Sequence, residues 1–125
     1  MTTDRARSAI TLLRWVVGLV ILGESARFVF SPSASAAFAK TGLPNFVHLG
    51  VGWAEMVAAV MFLIPQLAVA GGRLLIVILG FAIVLHVLHG WFDVGGLVVY
   101  AAATWAVMAA TGERGRSGSA KEQGQ

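Results

Sequence analysis

The chain has 125 residues, 58% of them hydrophobic and 12% charged, a balance well outside that of soluble domains. This length holds one domain and leaves no room for a separate soluble catalytic one. The formal net charge of +3 does not mark a nucleic-acid partner, because the cations gather in the tails: Arg5, Arg7 and Arg14 at one end, Arg114, Arg116 and Lys121 at the other. With no cysteine, the chain has no disulfide, thiolate metal site, covalent c-type haem attachment or thiol redox centre of its own, so any redox role needs a bound cofactor or a partner.

Residues 1–8 form a short basic tail, and the first apolar stretch follows at 9–30. It resembles a secretory signal in its leading arginines and in Ala34-Ser35-Ala36. A signal's apolar region is shorter, however, and Glu24, Arg27, Phe28 and Phe30 intervene before those small residues, so this stretch is expected to remain as a membrane helix. Pro32, Gly42 and Pro44 break the helix before a second stretch at 45–64. Pro65 and Gly71-Gly72 punctuate the entry to a third stretch at 70–90, and Asp93 with Gly95-Gly96 turns the chain into a fourth at 94–111. Each stretch is long enough to cross most or all of a hydrocarbon layer about 30 Å thick. The expected fold is all-α, a bundle of four transmembrane helices.

Arg-rich tails and Arg73 at the connection after Pro65 place both termini in the cytoplasm, against two cations, Arg27 and Lys40, in the first external loop. The location expected is a bacterial inner membrane, with the lipid bilayer as the principal partner. Residues 112–125 have nothing to bury and are expected to be a disordered cytoplasmic tail. Rows of small residues, Gly50, Ala54 and Ala58 in span two and Ala102, Ala106 and Ala110 in span four, suit close helix packing within the bundle, with a homo-oligomer as the alternative.

Ionisable groups at bilayer depth carry the functional signal, since each costs roughly 2.5 to 3.5 kcal/mol to insert and needs a partner, water or a ligand. Counted from the outer ends of the spans, Glu24, His48, His86 and Tyr100 all lie about 5 to 9 Å deep, one from each helix. Glu55 lies deeper and shares a helical face with His48, seven residues earlier, with Gly52 leaving space between them. His86, His89 and Asp93 share a face of span three, and Tyr100 and Thr104 stand one turn apart on span four.

Glu24, His48, Glu55, His86 and Tyr100 are therefore the candidate ligand-binding residues. Imidazole, carboxylate and phenol can hydrogen-bond a quinone and pass protons. Haem held by histidines on facing helices, or a divalent metal held by His86, His89 and Glu24, are lesser alternatives. Glu24 and Arg27, three residues apart, form a candidate structural ion pair, while His89 beside Trp91 reads as an interfacial histidine.

Several short motifs resemble the DoxX-like family of small four-helix bacterial membrane proteins. They are Leu13-Arg14 leading to Gly18, a basic residue closing the first span (Arg27), Gly42-Leu43-Pro44, the run Val51-Gly52-Trp53-Ala54-Glu55-Met56-Val57, Arg73 opening span three and His89 closing it. The resemblance covers about Leu13 to Ala110, and Glu24 and His86 lie outside its motifs. It implies association with membrane redox chemistry, the family being named from a subunit of a thiosulfate to quinone oxidoreductase. The expected function is an accessory redox subunit with a quinone or other lipophilic site in the outer half of the bundle and a redox-protein partner. A noncatalytic structural or assembly protein, or a haem or metal protein, is the alternative.

Overall fold

A computed structural model describes residues 2–124, with side chains described for 3–112. Every regular element among the described residues is helical: α1 (Thr2–Phe30), α2 (Pro32–Ala39), α3 (Asn45–Leu63), a 3-10 turn at Pro65–Leu67, α4 (Ala68–Leu88) and α5 (Gly95–Gln123). Four of these are long and apolar enough to cross a membrane, over Thr3–Phe30, Asn45–Leu63, Pro65–Leu88 and Gly95–Gly112.

The four long helices close a ring in chain order, α1 beside α3, α3 beside α4, α4 beside α5, and α5 back against α1. Short connections make successive members antiparallel. One end of the bundle carries α2 and the α4–α5 turn, and the other carries the chain's N-terminal residues and the Pro65 turn.

At the Pro65 end the packing is tight. Phe62, Leu75, Leu79, Val107, Val17 and Ile21 form the centre of the core with Ala58 and Ala59. Gly71 sets the distance between α3 and α4, because a Cβ there would stand 2.5 Å from the backbone nitrogen of Phe62 and 2.8 Å from the carbonyl carbon of Met61. The outside is apolar too: Trp15, Leu19, Val57, Val77, Val84, Val99 and Trp105 are all exposed, a surface that suits acyl chains and would be unusual in water.

Three features differ from the sequence reading. The expected external loop contains a helix, α2, started by Ser31 in extended conformation with Pro32 in the first turn. α5 runs on to Gln123, where a disordered tail is expected; all three prolines lie before residue 66, so none interrupts its backbone ladder. The small-residue row of span two is divided, with Gly50 exposed and no atom near a Cβ built on it, while Ala58 is fully buried.

Candidate functional site

At the α2 end the helices part around a cavity of about 380 Å³. α1 contributes Glu24, Ser25 and Phe28, α3 contributes Val51 and Glu55, α4 contributes Ala82, Leu85, His86 and His89, and α5 contributes Leu97. α2 and the loop after it close over the opening with Ala34, Ala37, Phe38, Thr41 and Leu43. The wall is mostly apolar and aromatic, with a few polar groups converging on it, the usual make-up of a small-molecule site.

The end of α4 shows how local sequence builds the site. Gly90 adopts a left-handed conformation (φ 75°), which an L side chain rarely takes and glycine takes freely. The helix then closes in a Schellman motif: the Trp91 N–H donates to the His86 carbonyl at 2.8 Å and the Gly90 N–H to the Val87 carbonyl at 3.0 Å. This turn folds Trp91 back over the helix end, its ring 5.6 Å from that of His86 and 5.7 Å from that of His89, centroid to centroid. Trp91 lines the cavity for this reason, and His89, read from sequence as interfacial, lines it from the end of α4.

Both imidazoles are tethered the same way. Nδ1 of His86 lies 2.7 Å from the Ala82 carbonyl oxygen and Nδ1 of His89 lies 2.7 Å from that of Leu85. A carbonyl only accepts, so each Nδ1 carries a proton, which leaves Nε2 as the ring atom free to bond a ligand. Glu55, half-buried on α3, has Glu24 and Ser25 of α1 as its polar neighbours. The Ser25 hydroxyl donates to the Ile21 carbonyl at 2.7 Å.

Of the five candidate residues, the structure brings Glu24, Glu55 and His86 together on the cavity wall. His48 is elsewhere. It is fully buried, its Nε2 donates to the Phe28 carbonyl at 2.7 Å, and its ring stacks on Phe38 at 5.0 Å and meets the edge of Phe28 at 4.2 Å. The cause lies in the sequence: in a helix the Phe28 carbonyl would accept from the N–H of residue 32, but residue 32 is proline and has none. His48 supplies the missing donor and fixes two aromatic rings that line the cavity. Tyr100 packs against the main core and is not part of the cavity wall, so α5 contributes no polar group to it.

Two further expectations are not met. Glu24 and Arg27 form no ion pair within 4.0 Å, since Arg27 is exposed on the far side of α1 from Ser25 and the core. Glu24, His86 and His89 line one cavity, but among the described residues no three His, Asp or Glu side chains gather closely enough to hold a metal ion. The haem alternative loses one of its axial histidines, since His48 is buried and committed to Phe28.

Phe28, Phe38 and Thr41 were not among the sequence candidates. The available signal was the Ser31-Pro32 helix start, which turns 32–39 from a loop into a helix laid across the bundle end. Compared with family models, with curated proteins and with solved structures, the chain finds no match in any of the three.

Proposed function

We propose that this chain is a multi-pass protein of the bacterial inner membrane, with both termini cytoplasmic, that binds a quinone-type lipophilic molecule at the α2 end of its bundle and serves as an accessory subunit of a membrane redox system. The observation that carries the reading is the cavity itself: about 380 Å³ of mostly apolar, aromatic-walled space inside a lipid-facing bundle, with two carboxylates and two imidazoles at one side. A molecule that partitions into lipid reaches such a site from the bilayer, and its polar head finds hydrogen-bond partners there that lipid lacks. The resemblance to DoxX-like proteins supports the redox setting, and the orientation follows from the basic tails and Arg73. Having no cysteine, the chain needs a bound cofactor or a partner protein for electron transfer.

The test is binding of a short-chain benzoquinone, supplied as a mixture of its oxidised and reduced forms, to the full chain in lipid nanodiscs, with empty nanodiscs subtracted. Saturable binding at one site per chain, abolished by Ala82→Trp, which fills the cavity, is the expected result. No saturable binding above partitioning would overturn the reading.

A second reading has one specific observation in its favour. His48 shows that at least one buried polar group of this bundle serves structure alone, and a noncatalytic structural or assembly protein would use all of them so. In that case Glu55→Ala and His86→Ala lower stability and leave no binding activity to lose.

A further inference from the structure

We infer that the cavity selects a lipophilic hydrogen-bond donor, and that within the quinone class it takes the reduced hydroquinone in preference to the oxidised quinone. This rests on the proposed site and deepens it by naming the form of ligand bound. The preference follows from which protons the cavity wall has left to give.

The Ser25 hydroxyl proton goes to the Ile21 carbonyl. The Thr41 hydroxyl proton goes to the Phe38 carbonyl at 2.7 Å, and its oxygen already accepts from the Leu43 N–H at 3.2 Å. The Nδ1 protons of His86 and His89 go to Ala82 and Leu85. What remains facing a ligand is the Nε2 atoms of His86 and His89 and the carboxyl groups of Glu24 and Glu55, whose oxygens accept, as do the nitrogens of neutral imidazoles. No lysine, arginine, asparagine or glutamine lines the cavity, and the indole N–H of Trp91 at its rim is the one side-chain donor without an assigned partner on the wall.

A quinone presents carbonyl oxygens, which accept and do not donate. Set against these residues, its two carbonyls leave acceptor facing acceptor in a low-dielectric site, where an unmade hydrogen bond is costly. A hydroquinone presents two O–H groups, each able to donate to an imidazole nitrogen or a carboxylate, and charge-assisted bonds to carboxylate are the stronger kind. The same ring, carrying the same tail and differing by two hydrogen atoms, therefore pairs more fully with the wall in its reduced state than in its oxidised one. An alkylammonium ion is also a donor and fits the two carboxylates by charge; it is the competitor that an experiment must separate.

The experiment is anaerobic calorimetric titration of the full chain in nanodiscs with one short-chain benzoquinone, its hydroquinone, and a primary alkylamine of equal tail length. Expected is hydroquinone binding tighter than quinone on the order of tenfold or more, with the amine weaker than the hydroquinone. Glu55→Gln puts an amide N–H₂ into the wall without changing its shape, so it is expected to narrow or invert the preference by raising quinone affinity. A merely structural role for Glu55 would leave the ratio unmoved. Equal affinities, or quinone the tighter, overturn the inference while leaving the site intact. Tighter binding of the amine also overturns it, in favour of a cation site. If neither quinone nor hydroquinone binds, the underlying site proposal fails first.

Discussion

The two ends of the bundle differ in what their helices enclose. At the Pro65 end, glycine brings helices together: Gly71 lets α3 and α4 touch backbone to backbone, and Phe62, Leu75 and Leu79 fill the centre completely. At the α2 end α1 and α3 also meet closely, Val29 and Phe28 lying against Gly52, yet the bundle leaves a cavity that a short helix closes. In lipid there is no water to expel between helices, so shape fit decides how close they pack, and a buried polar group without a partner is costly. The closed end is a scaffold and the open end is where ligand specificity can be built.

If this division is correct, damage at the closed end should cost stability and damage at the open end should cost binding. The largest expected effect is Phe62→Ala, which empties the fully buried centre and should cost about 3 kcal/mol or more, read as a fall in the thermal midpoint of purified protein. Gly71→Ala comes next, at about 1–3 kcal/mol, because its Cβ meets main chain that cannot rotate away. Gly50→Ala is the matched control: nothing lies within 4 Å of a Cβ there, and stability should hold or rise slightly. Equal losses at Gly71 and Gly50 would remove the basis for calling one end tightly packed.

His48 tests the boundary between the two ends. His48→Ala leaves the buried Phe28 carbonyl without a donor and takes the stacking partner from Phe38, a cost of about 1–3 kcal/mol with faster amide exchange in residues 37–41. His48→Gln, which keeps an N–H of similar reach, should recover part of it. If α2 exchanges no faster in the alanine variant, His48 does not hold it in place.

Much of this division can be read from the sequence, and the parts that cannot have identifiable causes. The four spans follow from length, composition and breakers, each a local property. Depth along a helix is also local, and it groups Glu24 with His86, which do line one cavity; Glu55 joins them from a deeper turn of α3. Direction around the helix is not local. Tyr100 has the right depth and faces the core, and Arg27 has the right spacing from Glu24 but is exposed without pairing to it. His48 depends on a carbonyl twenty residues away that a proline left unpaired, a relation visible only once Pro32 is seen to start a helix directly after α1. Trp91 enters the site through the left-handed turn at Gly90, a position where glycine alone gives little hint of which ring it will fold back.

The smallest effect concerns a polar group for which neither end has a use. Thr104 is fully buried in α5, and its hydroxyl has no hydrogen-bond partner; Ser25 and Thr111, by contrast, donate to carbonyls one turn back at 2.7 and 2.8 Å. A buried hydroxyl that has lost its partner is a liability, and valine has nearly the same shape without it. Thr104→Val should therefore raise stability by about 0.5–1 kcal/mol and leave ligand binding unchanged, since Thr104 is not on the cavity wall. A fall in stability would mean that the hydroxyl is satisfied in the membrane. A fall in binding with stability unchanged would extend the working part of the molecule from the cavity wall across to the packed face of α5.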